Sequence, residues 1–143
     1  MTIFFTTTLV AHVLIAVLGL GSVVSIAIVA ALARKGGRDW AEVLPWLIPL
    51  LRYSAFSLGA MLATGILLDV AAKGAFHESW WFRGSALLLV ATGALHGQAR
   101  RTVRLSKVEK ASSEMVLRRI ERLAFAMCIL IAGISVLMEV KPF

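Results

Sequence analysis

Charge is scarce in this chain. Only 16% of its 143 residues are Asp, Glu, Lys or Arg, while 59% are hydrophobic. A soluble domain is about a quarter charged and about half apolar, so a surface solvated by water on all sides is excluded. Cys128 is the only cysteine, which rules out an intrachain disulfide and a thiolate metal cluster. Lying in an apolar run, it reads as a small buried hydrophobe. The phosphate-cradling loop, the strand-linked GxGxxG, the HExxH helix and the nucleophile elbow are all missing, as is any strand-like alternation. The N-terminus lacks the basic n-region and small-x-small site of a cleaved leader, so the first helix is expected to be retained.

What the chain does have is four long apolar stretches. They cover about residues 8–33, 53–72, 81–98 and 123–140, each near the roughly 20 residues needed to cross a hydrocarbon core. Without water in that core, backbone groups must bond within each segment, which predicts helices. The expected fold is therefore all-α: one transmembrane domain over residues 1–143, built as a four-helix bundle. Asp39-Trp40-Ala41-Glu42 opens a different kind of segment, interrupted by Pro45 and Pro49. Asp39 suits a helix cap, and two prolines four apart with Trp40 and Trp46 suggest a short broken segment at the membrane interface. The connection from Arg100 to Arg122 reads as a polar helical extension, with Glu114 and Arg118 one favourable i,i+4 pair.

The basic residues divide unevenly between the two ends of such a bundle. The first and third connections hold Arg34, Lys35, Arg38, Arg52, Arg100, Arg101, Arg104, Lys107, Lys110, Arg118, Arg119 and Arg122; the other end holds Lys73, Arg83 and Lys141. The positive-inside rule puts the twelve in the cytoplasm of a bacterial inner membrane, with both termini outside. The net charge of +7 is then a topology signal and not the footprint of a nucleic-acid partner. The partners expected are the lipid bilayer and a second copy or a larger membrane complex.

Ionisable groups at membrane depth are costly, so each invites a functional reading. His12 lies roughly 12 Å outward of the midpoint of its helix at 1.5 Å per residue. Asp69, Arg83 and Glu139 share that outer level, which suggests an outer polar cluster of four residues from four helices. Snorkelling to headgroups or pairing across the bundle explains the last three equally well. His96 lies toward the opposite face, in Gly93-Ala94-Leu95-His96-Gly97, where Gly93 and Gly97 would admit a neighbouring backbone. Imidazole is a common axial ligand of haem iron, which makes His12 and His96 candidate cofactor or metal ligands. Their depths differ by roughly 20 Å at the helical rise, too far for one iron. Met61 and Met138 are the partners for His12 available by level.

Two stretches also carry a family resemblance. His12-Val13-Leu14-Ile15-Ala16-Val17-Leu18-Gly19-Leu20-Gly21 resembles the histidine-bearing first helix of small bacterial membrane proteins of the copper-resistance D (CopD-like) type. Leu51-Arg52-Tyr53-Ser54-Ala55-Phe56-Ser57-Leu58 and Ala63-Thr64-Gly65-Ile66-Leu67-Leu68 are similar to that group's next helix, and Trp81 through Gly97 to its third. The chain is also distantly similar to the HemJ group of protoporphyrinogen oxidases. The resemblance implies a four-helix bundle with His12 inside it and a haem, porphyrin or copper connection, with Arg83 facing a propionate or carboxylate. Where the HemJ group has a lysine early in its third helix this chain has Arg83 or a neutral residue, and a guanidinium does not readily release its proton. A non-catalytic accessory subunit of a membrane complex is the alternative expectation, and a small transporter a weaker one.

The orientation is checked with cysteines introduced singly at Arg38 and Ala75 in a Cys128→Ser background. A membrane-impermeant maleimide added to intact cells should label position 75 and spare position 38; the reverse pattern overturns the assignment.

Overall fold

A computed structural model describes residues 3–106 and 112–139. Lys107, Lys110 and Lys141 of the charge count, and the end of the fourth apolar stretch at Val140, lie outside those residues. Four helices account for nearly all the described chain: α1 (Ile3–Lys35), α2 (Trp40–Ala71), α3 (Trp80–Ser106) and α4 (Ser113–Glu139). Among the described residues there is no strand. α1, α2 and α4 are each long and apolar enough to cross a membrane. α3 is less apolar, because Arg83, Ser85, Thr92, His96 and Gln98 interrupt it.

Helix α2 departs from the broken interfacial segment expected before Tyr53. It runs unbroken from Trp40 through both prolines. Each proline removes one intrahelical donor and crowds the preceding turn, at a cost of about 3 kcal/mol in an ordinary helix. Packing offsets that cost here. Val43, Leu47 and Leu51 form a buried stripe at four-residue spacing, while Pro45 and Pro49 sit on the exposed face. Trp40, read as an interfacial anchor, is 93% buried, since only 7% of it is exposed, whereas Trp46 is 70% exposed. The start of α2 is held by its cap. Asp39 Oδ1 accepts from the Ala41 N–H and from the Ser113 hydroxyl at 2.8 Å, and that hydroxyl oxygen accepts from the Trp40 N–H. The Ser113 bond first, and the Ala41 N–H second, hold the Asp39 carboxyl below its ordinary range.

Successive helices run antiparallel, and named contacts give each register. A Cβ on Gly19 would lie 3.0 Å from Ser57 Cβ, fixing α1 on α2. Arg34 of α1 makes a two-toothed ion pair with Glu121 of α4, Nε to Oε2 at 2.6 Å and Nη2 to Oε1 at 3.3 Å, a geometry only arginine offers. Leu88 packs on Gly133, and Leu137 on Gly84, between α3 and α4. α1 lies extensively along both α2 and α4, and α4 along α3, but α2 and α3 meet sparingly. The Gly93 and Gly97 positions, expected to admit a neighbouring backbone, are open: a Cβ at either would meet nothing within 4 Å.

Packing is also uneven along the bundle. The continuous core runs through Val23, Ile26 and Ala30 of α1, Leu47 and Leu51 of α2, Ala99 and Val103 of α3, and Ile120, Ala124 and Met127 of α4. Most of it lies in the half carrying the α1–α2 and α3–α4 connections, here termed the basic end, and Ile131 extends it past the middle of α4. The opposite half buries fewer large apolar side chains, Leu68 and Ile134 among them, beside the polar Thr8, His12 and Ser85, with Ser57 and Thr92 buried near the middle. Large apolar side chains face outward on every helix, including Val17, Phe56, Leu87, Val90, Phe125 and Val136, as lipid requires. At 1.5 Å per residue the 33 residues of α1 span about 50 Å, longer than a hydrocarbon core of about 30 Å.

The Gly19 contact separates two otherwise similar glycines. Gly19→Val should cost about 1–3 kcal/mol of stability through overpacking against Ser57, while Gly21→Val, with nothing within 4 Å, should change little. Unfolding midpoints of the two variants in one detergent check this.

Candidate functional site

The Gly19–Ser57 contact determines what faces His12. Seven residues are two helical turns, so stepping outward by seven on each antiparallel helix leads from Gly19 to His12 and from Ser57 to Thr64. The structure pairs them: His12 Nδ1 lies 2.7 Å from Thr64 Oγ1. The Thr64 hydroxyl has one proton, and it donates to the Ala60 carbonyl at 2.8 Å, with Met61 O at 3.2 Å. With that proton on the Ala60 carbonyl, the bond between His12 and Thr64 is donated by Nδ1–H. His12 Nε2 is left with an unshared pair. Gly65 lies beside the ring, where a Cβ would be in ordinary contact at 3.7 Å from His12 Cε1.

His12 is 8% exposed and lines two adjoining cavities of about 110 and 320 Å³ at this end of the bundle. The smaller is walled by Met61, Ile66, Phe82, Ser85, Leu89 and Met138, among others. The larger adds Phe5, Leu9, Phe76 and Trp81. The smaller is overwhelmingly apolar and the larger mainly so. Leu62 and Ile66, which face outward, also line the smaller one, so the space reaches the outer surface along the sparse seam between α2 and α3. One polar atom besides the imidazole belongs to this wall. Ser85 Oγ is buried and has no hydrogen-bond partner among the described residues, an arrangement that costs about 1–3 kcal/mol unless something occupies the space beside it.

The other sequence candidates are distributed differently. Asp69 Oδ1 accepts from the Phe76 and His77 N–H groups, and Oδ2 lies 3.4 Å from His77 Nδ1. Arg83 Nε donates to the His77 carbonyl at 2.8 Å. Asp69 and Arg83 are thus both engaged with the connection between α2 and α3, one as a clamp on its backbone, the other as a strut. Gly74 in that connection has φ +77° and lies against the His77 ring, leaving no room for a side chain. Glu139 ends α4 exposed, without an ion pair among the described residues. The outer polar cluster therefore resolves into His12 with Thr64 inside the bundle, and Asp69, His77 and Arg83 in the loop.

His96 is 4% exposed, and its Nε2–H donates to the Leu51 carbonyl at 3.0 Å, tying α3 to α2 across their sparse seam. Thr64 and Leu51, the α2 partners of the two histidines, are thirteen residues apart, or about 20 Å along the helix. The histidines do not share a site. Among the described residues no group of three or more His, Cys, Asp and Glu could hold a metal ion. Thr64 and Ser85 are the members of the site that reading for ionisable groups passes over, since neither carries charge. The heptad step from the Gly19–Ser57 contact is the signal that finds Thr64; nothing in the sequence marks Ser85.

No protein-family model, curated protein or solved structure matches this chain.

The ring assignment is open to measurement. Nitrogen-15 NMR of the histidine-labelled protein should show the proton of His12 on Nδ1 and the unshared pair on Nε2. Thr64→Val should move that signal and cost about 1–3 kcal/mol by orphaning the buried donor, whereas Thr64→Ser should do neither. A proton on Nε2 in the unaltered protein contradicts the assignment.

Proposed function

We propose that the chain is a four-helix protein of the bacterial inner membrane, with its basic end in the cytoplasm, that holds a haem, porphyrin or copper group at His12. The observation that carries this reading is the buried His12 ring, held at Nδ1 by Thr64 and lining an apolar cavity that two thioethers also line. Imidazole with thioether is a donor set for Cu(I), and His with Met is an axial pair for haem iron. The donor set fits such a group: His12, Met61 and Met138 come from three different helices onto one cavity, and Ser85 Oγ offers it a buried hydroxyl. At about 110 Å³ that cavity has room for a copper ion, and a haem or porphyrin would also fill the adjoining space of about 320 Å³ and part the α2–α3 seam. When bound, the group would supply one-electron redox chemistry that the polypeptide lacks. The protein's own part is to fix the His12 ring through Thr64, to exclude water with Phe82, Leu89 and Ile134, and to leave the α2–α3 seam as the way in. The fourth crossing, by α3, is part of the same reading: it packs along α4 and exposes Leu87 and Val90 outward.

The resemblance of the first three helices to the CopD-like and HemJ groups supports the same assignment. His96 enters as the tie between α3 and α2, and a second site there would need its remaining Nδ1. Arg83 keeps part of its guanidinium beyond the bond to His77, so it remains available to a carboxylate at the rim. A second reading, an accessory subunit of a membrane complex, is favoured by the open faces at Gly93 and Gly97, which would let a partner helix approach closely.

Protein purified from membranes in mild detergent, recorded oxidised and reduced and assayed for metals, separates these readings. A Soret band or stoichiometric copper that is lost in His12→Ala and weakened in Met61→Leu or Met138→Leu is the expected result. A colourless and metal-free protein overturns the cofactor reading.

A further inference from the structure

The basic end holds a second cavity on the α2–α3 seam, of about 320 Å³, lined by Ile48, Leu51, Arg52, Arg100, Val103 and Arg104. Arg100 and Arg104 are one turn apart on α3, and Arg52 faces them from α2. Counting carboxylates shows why this cluster is unusual. Each described acid at this end is already committed: Asp39 to Ser113, Glu42 to Arg38, Glu114 to Arg118 and Glu121 to Arg34. Among the described residues the three groove arginines have no hydrogen bond or ion pair. Three guanidinium groups around one space repel one another, and an anion placed among them removes that repulsion. The floor is apolar: Leu51, which receives the His96 bond, with Ile48 and Val103. From there outward-facing Phe56, about one turn beyond Arg52 on α2, and Val90, about four turns beyond Arg104 on α3, continue the groove as apolar surface.

We propose that this groove binds one anionic phospholipid, its phosphate among Arg52, Arg100 and Arg104 and its acyl chains along the apolar α2–α3 seam. A basic pocket between helices at the membrane surface has the chemistry such headgroups require, and guanidinium forks match phosphate oxygens better than ammonium groups do. The groove alone would also suit a free phosphate. The apolar face continuing from it distinguishes the lipid. The site is independent of the cavity at His12, about 20 Å away along α2, and either can fail without the other.

The test uses the full-length protein in detergent, with binding read by native mass spectrometry and by the unfolding midpoint. Phosphatidylglycerol should bind and raise the midpoint, while phosphatidylcholine of the same chain length and inorganic phosphate at equal free concentration should not. At about 1 kcal/mol per basic residue near a charged headgroup, the Arg52→Gln/Arg100→Gln/Arg104→Gln variant should bind phosphatidylglycerol about a hundredfold more weakly. The charge-matched variant Arg101→Gln/Arg119→Gln/Arg122→Gln should keep its affinity within a few-fold. Equal losses in the two variants would mean diffuse attraction and overturn the site. Equal binding of the two lipids by the unaltered protein overturns it without any variant having to fold, and stabilisation by inorganic phosphate matching that by lipid overturns the lipid assignment.

Discussion

The close approach of Gly19 to Ser57 sets the register on which the rest of the bundle depends. Apolar surface gains nothing by leaving lipid for a helix interface, so association rests on packing and on polar contacts. A small residue facing a small residue brings α1 and α2 near enough for short side chains to reach across. Two turns outward this delivers His12 to Thr64; on its other flank α1 holds Glu121 of α4 through Arg34. With α1 engaged on both sides and α3 packed on α4, α2 and α3 are left as the pair that hardly touches. Both cavities discussed above lie on that seam.

The two ends of the seam differ because the sequence distributes bulk and polarity differently along the helices. Toward the basic end, Ile26, Leu47, Ile120 and Met127 are wholly enclosed, and the charged rim stands beyond them. Toward the other end, His12 and Ser85 stand where large aliphatic groups would close the bundle, and space remains. His96 bonds Leu51 at the floor of the basic groove and ties α2 to α3 there. The arrangement separates an apolar chamber with one imidazole from a basic groove, on one line between the same two helices.

Helix number and type were legible from apolar run length, because hydrocarbon leaves the backbone few alternatives. So was the separation of His12 from His96, which follows from helical rise alone. The continuity of α2 was not, since the stripe of Val43, Leu47 and Leu51 that carries the helix past Pro45 and Pro49 acts through neighbours a local reading does not see. Trp40 was misplaced for the same reason: its burial depends on the start of α4, whose Ser113 receives its N–H. Asp69 and Arg83, grouped with Glu139 by depth in the sequence, have their partners in the α2–α3 connection. Backbone amides of the loop compete for a carboxylate as well as an arginine does, and Asp69 takes two of them. Thr64 was visible only as half of a Thr-Gly pair, because a neutral hydroxyl leaves no trace in a count of charges.

The chamber at His12 opens sideways between α2 and α3, past Leu62 and Ile66, and this changes the reservoir from which it is filled. On the proposed reading, a haem or porphyrin entering there would come from the acyl-chain phase. Its concentration is a mole fraction in lipid, and it sheds no hydration shell on entry. Dewetting therefore contributes almost nothing to its retention, and greasiness alone cannot distinguish it from the lipid it displaces. Discrimination falls to the few atoms that lipid tails cannot satisfy: one imidazole nitrogen, two sulfurs and one serine oxygen.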